Sequence, residues 1–406
     1  MKAVIRAREL AAVAGLVLLL LLLTTGFGLM ASYVPSSAEA FASVLDLRQS
    51  GALGRFLRSL HERASSGLVV AGFVYLLAAF LEGRLAEERK AFWLALGAYG
   101  LVLAACFTGF LLPMDQNAYW GSLVRLGIVE TAPMVGPTAA SVLRGGDGLN
   151  ATTLPRFYAL HVSLLPFLLA LLLLLLAFEA RSVLADEARR RRALREALAA
   201  LVLAFAVAAV WPAPLEPAAN PADTSYVPRP EWYFTWLFEL GKYVEGHEWI
   251  RSLLLPVAGG SLLLLLPFLS PASLQRRAAW AAGAVLAIAG LTGVSRYEDR
   301  LLPPKPTYEQ ALGDRAAFVF ATVCRDCHGA SGHGDGEQAK SSALDVPDFN
   351  SAEFWKGTTR EEMEQAVREG RGEDMPSFRR KLRDDEIAAL VRRIEERFRP
   401  RPAGVR

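Results

Sequence analysis

Long apolar runs alternate with short charged ones through about the first 300 residues. Ala11 to Met30 and Leu160 to Phe178 each hold roughly twenty residues without Asp, Glu, Lys or Arg, enough to cross a bilayer core of ~30 Å. Apolar length and charged punctuation predict seven spans, at residues 10–31, 66–82, 92–113, 158–179, 194–211, 252–270 and 278–295. The first follows Lys2, Arg6 and Arg8 and precedes Ala38-Glu39-Ala40, as a signal peptide would. Its apolar stretch exceeds the 7–15 residues of a signal core, so it is expected to be a true span. From about Pro303 the pattern changes to a charged, moderately apolar segment. It ends in an amphipathic helix over Asp384 to Phe398, where apolar residues recur at helical spacing.

Composition narrows the class. A chain of 406 residues that is 53% hydrophobic and 21% charged, with its apolar residues gathered into spans, is not a wholly soluble enzyme. Three cysteines do not make a disulfide scaffold, and a net charge of +3 gives no reason to expect nucleic acid. Loops after the second, fourth and sixth spans are basic, carrying Arg84, Arg89 and Lys90, then Arg181, Arg189 to Arg192 and Arg195, then Arg276 and Arg277. The positive-inside rule puts them and the N-terminus in the cytoplasm. The Pro-, Gly- and aromatic-rich loops, and everything after the seventh span, then face the other side.

The tail contains Cys324-Arg325-Asp326-Cys327-His328, the spacing in which two thiols bond to haem vinyl groups and the adjacent histidine ligates iron. The alternative is a redox dithiol. Gly332-His333-Gly334-Asp335-Gly336 follows, and Met375-Pro376-Ser377-Phe378 comes about fifty residues after the motif. The segment resembles a class I cytochrome c domain over its whole length, which implies Met375 as second axial ligand and attachment of the haem outside the cytoplasm.

Five histidines are present: His61, His161, His247, His328 and His333. His247 and His333 fall in loops and are expected in solvent. His61 and His161 each stand near the start of a span that enters from the same side, so two imidazoles at similar depth could sandwich one haem iron. Cys106, inside the third span, is expected to be an inert buried thiol.

Thr25-Gly26-Phe27, Glu39-Ala40-Phe41-Ala42-Ser43-Val44, Arg58-Ser59-Leu60-His61, Leu112-Pro113-Met114-Asp115-Gln116, Tyr119-Trp120-Gly121, Thr153-Leu154-Pro155-Arg156-Phe157-Tyr158 and Pro230-Glu231-Trp232-Tyr233 occur in this order. Residues 10–295 thereby resemble cytochrome b of the quinol:cytochrome c reductases, most closely the photosynthetic-type cytochrome b plus subunit IV pair joined in one chain. The resemblance implies an all-α fold. Residues 1–192 would form a four-helix haem-binding bundle, 193–300 a subunit IV-like three-span region with the Pro-Glu-Trp-Tyr loop, and 301–406 a soluble helical cytochrome c domain. It implies a b haem ligated by His61 and His161, admitted by Gly26 and Gly109. Arg58 is the first candidate for its propionates, since a guanidinium binds carboxylate bidentately, and Arg156 is the second. Glu231 and Tyr233 would be catalytic, the carboxylate taking a proton from quinol. The covalent haem would use Cys324, Cys327, His328 and Met375.

The sequence departs from the family at the inner haem. Its histidines would fall at Tyr75, fourteen residues after His61, and at Leu175 or Leu176. That site lies about 21 Å deeper, at 1.5 Å per residue. Ala12 and Ala95 stand where the family has glycines near it. One b haem and one c haem are therefore expected. The resemblance further implies a bacterial cytoplasmic membrane location, quinol as substrate, a Rieske iron–sulfur partner, a soluble or membrane cytochrome c acceptor and, as an open alternative, a homodimer. A competing reading makes the cytochrome b part a degenerate scaffold for a c-type electron carrier in a larger respiratory or photosynthetic complex. A third runs electrons from the c haem to quinone.

Overall fold

Helix is the regular element throughout the described residues of the computed structural model, and no strand occurs among them. The description covers residues 1–400 apart from 38, 50, 147–148, 185–186, 222, 224, 245, 248, 303–307, 373 and 380–381. The side chains of 49, 176–184, 309, 318 and 322 are also outside it. Pro303, Ala38 and the side chains of Leu176, Phe178 and Arg181, on which sequence expectations fall, thus lie outside the described residues.

Two compact units divide the chain, Met1–Pro303 and Pro304–Arg406. The first runs α1 (Lys2–Met30), α2 (Ala40–Gln49), α3 (Ala52–Glu82), α4 (Arg89–Leu111), α5 (Gln116–Glu130), α6 (Gly136–Arg144), α7 (Thr153–Ala159), α8 (Leu165–Leu184), α9 (Glu187–Val210), α10 (Thr235–Lys242), α11 (Leu255–Leu269) and α12 (Leu274–Asp299). Among the described residues seven helical stretches are long and apolar enough to cross a membrane: Lys2–Met30, Ala52–Glu82, Arg89–Leu111, Thr153–Leu175, Glu187–Val210, Ile250–Leu269 and Leu274–Asp299.

The predicted spans fall within or close to these helices, but several helices extend further. α3 starts at Ala52 rather than 66, so His61 lies inside the helix and not ahead of it. Its first turns carry Arg55, Arg58, Glu62 and Arg63, which a hydropathy window rejects. Tertiary acceptors receive two of them: Arg58 donates to the carbonyls of Ala213 and Pro214 (3.1 and 2.6 Å), and Arg63 to those of Trp211 and Pro212 (both 3.0 Å). Similarly, Arg189 to Arg192, read as a loop, form the first turns of α9, where Arg191 pairs with Glu187 one turn back.

Small residues let the membrane helices approach closely. A Cβ on Gly67 of α3 would lie 3.1 Å from Leu18 of α1, and one on Gly15 3.7 Å from Leu68. Leu18, Leu19, Leu60, Ala64, Leu68 and Val69 form the core with Ala98, Val102 and Leu169, and α9 closes it with Ala204 and Ala208. At the far end of α3, Gly83 takes the left-handed conformation (φ 76°) that ends the helix. The buried Arg277 of α12 fills the space beside it and donates to Leu81, Pro271 and Ala272 carbonyls.

The second unit comprises α13 (Tyr308–Val319), α14 (Arg325–His328), α15 (Glu337–Ser342), α16 (Ala352–Gly357), α17 (Arg360–Glu369) and α18 (Asp384–Phe398). The amphipathic helix expected over Asp384 to Phe398 is α18, with Ile387, Leu390, Val391, Ile394 and Phe398 as its buried face. They pack with Ala316, Val319 and Phe320 of the first helical stretch and with Phe349, Met363 and Val367. A capping box of Thr359 and Glu362 starts α17. The Gly-rich loop folds back on the Cys-X-X-Cys-His helix: Gly336 N–H donates to the Cys327 carbonyl at 3.1 Å.

A Cβ on Gly336 would stand 2.3 Å from the Asp326 carbonyl oxygen, a backbone atom between the two thiols. Gly336→Ala is therefore expected to destabilise this unit by about 1–3 kcal/mol or more and to lower covalent haem content while leaving the b-type spectrum intact. Haem staining and visible spectroscopy of the purified variant check this.

Candidate functional site

His61 on α3 and His161, in a wide turn (Leu160–Leu164) that joins α7 to α8, meet with ring centres 6.2 Å apart and planes at 70°. A metal–imidazole bond is about 2 Å and a ring centre lies roughly 1 Å behind its nitrogen. Two rings sharing one metal thus have centres about 6 Å apart. The Nδ1 atoms are already engaged. His161 Nδ1 lies 2.9 Å from the Ala105 carbonyl, which can only accept, so Nδ1 carries the proton. His61 Nδ1 lies 2.9 Å from Thr25 Oγ1, whose own hydrogen goes to the Leu21 carbonyl at 2.6 Å, and again Nδ1 donates. Nε2 is left as the ligating nitrogen of both rings, the tautomer that second-shell partners impose at metal sites. Gly26 and Gly109 lie against them: a Cβ would come within 3.2 Å of His61 Cε1 and 2.6 Å of His161 Cε1. These residues fit a bis-histidine haem. The wide turn at His161 is a feature found often at functional sites, and no residue pattern in the sequence announced it.

The opposite end of the bundle is filled differently. Arg8 of α1 sits 5.3 Å over the ring of Tyr75 and bridges Glu82 and Glu88 (2.8 and 2.7 Å). The Tyr99 ring lies on the α3 backbone at Gly72, where a Cβ would meet it at 2.5 Å. Ala95 is buried; Ala12 is exposed, and its neighbour Ala11 faces inward instead.

The Pro-Glu-Trp-Tyr segment is strapped onto the turn between α4 and α5. Asp115 caps α5 by accepting from Ala118 N–H (2.9 Å) and also accepts from Glu216 N–H (3.2 Å). Gln116 bonds Asp223 and Asn220, and Asn117 bonds Arg229 through both its amide atoms. Arg229 pairs with Asp299 of α12 (2.9 Å), and Lys242 of α10 with Glu239 (2.7 Å) and with Glu298 of α12. Thus held, Glu231 forms an ion pair with Arg125 of α5. Burial pushes the Glu231 carboxyl up from its ordinary range and the Arg125 charge opposes that rise. Tyr233 packs beside Cys106 and is likewise pushed up by burial; Trp232 Nε1 reaches Ser66 Oγ at 3.4 Å. Sequence reasoning missed Arg125. The available signal was a lone arginine amid the apolar Leu123-Val124-Arg125-Leu126 stretch.

Arg58 and Arg156 stand near the helix ends carrying the histidines, and each serves a carbonyl already, Arg156 that of Val142 at 2.6 Å. His247 and His333 are exposed, as expected, and His333 pairs with Asp348 at 3.1 Å.

In the second unit Cys324 and Met375 pack on the same core, and Phe349 of that core stacks on His328 at 4.7 Å and 14°. His328 Nδ1 is buried with no partner among the described residues. Burial holds this imidazole neutral, its pKa lowered to about 4, as a metal ligand requires. Burial raises the Cys324 thiol to about 11, unlike the depressed thiols of redox dithiols. The donor set fits a covalent haem with histidine and methionine ligands.

Residues 2–182 match the family model described as cytochrome b/b6/petB, and residues 311–392 that of cytochrome c oxidase, cbb3-type, subunit III. The cytochrome b6 of Tupiella akineta is 35% identical over 162 residues, covering 39% of this chain and 74% of that protein. The chain belongs to the cytochrome b/b6 family. The cytochrome b6 of Cyanidium caldarium is 36% identical over 154 residues, 37% of this chain and 71% of that one. A solved chain titled hyperthermophilic respiratory Complex III shares the fold, with a TM-score of 0.61 at 20% identity, over 74% of this chain and 85% of that one. This member of the cytochrome b/b6 family is thus a multi-pass membrane cytochrome with a c-type domain after its last span.

In this cytochrome, His61→Ala or His161→Ala is expected to abolish the b-type spectrum and leave the c-type one. Gly109→Val should do the same by filling the cradle, while Met375→Ala should shift the c-type spectrum alone. Reduced-minus-oxidised spectra distinguish these outcomes, and a b signal surviving both histidine changes would contradict the ligation.

Proposed function

We propose that this chain is the membrane subunit of a quinol:cytochrome c oxidoreductase in a bacterial cytoplasmic membrane. It oxidises quinol at the outer side and passes electrons to its own tethered c-type domain. The observation that carries the reading is a half-buried carboxylate, Glu231, ion-paired to Arg125 in a Pro-Glu-Trp-Tyr loop fastened to the haem-ligand end of a cytochrome b bundle. A haem there, held by His61 and His161 and admitted by Gly26 and Gly109, supplies one-electron redox chemistry when bound, as does one held by Cys324, Cys327, His328 and Met375 in the c-type domain. Arg58 is the propionate partner and Arg156 a second guanidinium on the same side.

The chain's own residues supply the proton chemistry. Glu231 accepts the hydroxyl proton of quinol and passes it outward. Tyr233, packed against the bundle core, shapes the quinol pocket from the next turn. Trp232, Tyr233 and Phe234, whose rings contact one another in sequence (5.3 and 5.0 Å), give the pocket an aromatic wall. Residues 193–300 play the part of a fused subunit IV. A Rieske iron–sulfur protein is the partner that carries electrons between quinol and the c-type haem, and a soluble or membrane cytochrome c is the acceptor. Tyr75 and Leu175 stand where a second b haem would need histidines. Recycling of one electron across the membrane therefore lacks its cofactor site, which favours a route without bifurcation.

Glu231→Gln keeps side-chain size and removes the base. Both haem spectra should be retained, while quinol-driven reduction of the c haem falls by ~10² to 10⁴ and direct chemical reduction is unchanged. Measured with the native partner subunits present, equal quinol-dependent rates for the wild type and Glu231→Gln would rule out the base role and favour a scaffold.

A further inference from the structure

Arg125 is a cation in an apolar place. Its side chain is 5% exposed, and its guanidinium lies 3.6 Å from the centre of the Phe110 ring and 5.9 Å from that of Phe107. Such stacking fixes the plane of the group. One terminal nitrogen, Nη2, bonds Glu231; the other, Nη1, is buried with no acceptor among the described residues. The Glu231 side chain is 19% exposed, more than that of its partner. Among the described residues three further ionisable groups bear on that carboxylate: Cys106 from α4, Glu62 from α3 and Tyr233 on its own segment. None of these three is a cation. Arg125 is thus the counter-charge facing the proton acceptor, and it comes from a helix 106 residues away in sequence.

We propose that Arg125 is a positioning residue acting through charge: by pairing with Glu231 it favours the ionised form of the proton acceptor and so sets the pH range in which the chain can oxidise quinol. The inference rests on the quinol reading above and adds the group that governs it. A buried carboxylate without a counter-charge resists ionisation, and a cation at contact distance restores it. The sign follows. Removing the cation raises the pH at which Glu231 loses its proton, so the acid side of the rate profile moves to higher pH, while rates at high pH converge with those of the wild type. A guanidinium that merely pinned the loop to α5 would, when removed, lower the rate by one factor at every pH. The free Nη1–H adds a second expectation: an oxygen supplied from outside the chain, as on a quinol ring, completes the pair.

The test uses the full chain with its native redox partners and the variants Arg125→Gln, Arg125→Met and Arg125→Lys, each checked for normal haem b and c content. Infrared titration follows the Glu231 carboxyl band, assigned by its loss in Glu231→Gln, and stopped-flow follows quinol-driven c-haem reduction across pH. In either neutral variant the Glu231 midpoint should rise by a unit or more, making the reaction at least ~5-fold slower at the pH where the wild type is half-maximal. Arg125→Lys should return the midpoint toward that of the wild type. One neutral variant with intact haem suffices, and Met, apolar and unbranched, suits the surroundings of Phe107 and Phe110. An unchanged midpoint, or an equal loss of rate at all pH values, would overturn the proposal. Equal rates for the wild type and Glu231→Gln would instead sink the quinol reading, while the infrared titration, which needs no turnover, would still decide whether Arg125 controls Glu231.

Discussion

Two imidazoles held with ring centres 6.2 Å apart are the constraint around which the membrane unit is arranged. Neither ring is placed by its own helix alone. His61 is oriented by a threonine of α1, and His161 by a carbonyl of α4, so four elements must be in register before either Nε2 is presented. That demand explains the small residues between α1 and α3, because close backbone approach is what brings Thr25 within hydrogen-bond reach. It also explains why glycine stands at 26 and 109, where any side chain would enter the space beside the rings.

The two ends of the bundle make opposite use of the same helices. At the histidine end, glycines and threonines leave a cradle. At the other, Tyr99 lies on Gly72, Arg8 covers Tyr75, and carboxylates of α3 and the following turn close over Arg8. Charge is handled by the same logic at the Pro-Glu-Trp-Tyr segment. A buried carboxylate is costly unless paired, and the pairing residue is carried by α5, whose own start is capped by Asp115 within the network that straps the loop. Glu231 and its counter-charge are therefore located by one set of contacts.

Local chemistry was legible in the sequence, and tertiary chemistry was not. The Cys324-to-His328 motif, the apolar face of α18 and the seven spans all rest on spacing along the chain, and the helices carrying the last two fall close to where that spacing puts them. The start of α3 was misread because Arg55, Arg58, Glu62 and Arg63 look like loop residues until the carbonyls of 211–214 are found beside them. Arg189 to Arg192 were misread for a related reason, since a basic cluster at a span's edge can be loop or helix. Arg125 could be recognised as unusual, but its partner lies 106 residues on, and only folding brings the two together. The wide turn at His161 depends on the fit against α4, which no local pattern encodes.

We propose a single b-type haem at the histidine end of the bundle and a c-type haem in the following domain. Redox titration of the purified chain combined with pyridine haemochrome typing tests this. One b-type and one c-type component per chain, each titrating as a single one-electron wave, is the result expected. A second b-type wave with two b haems per chain would contradict it, since the end of the bundle occupied by Tyr75 and Tyr99 would then have to hold a haem on ligands other than histidine.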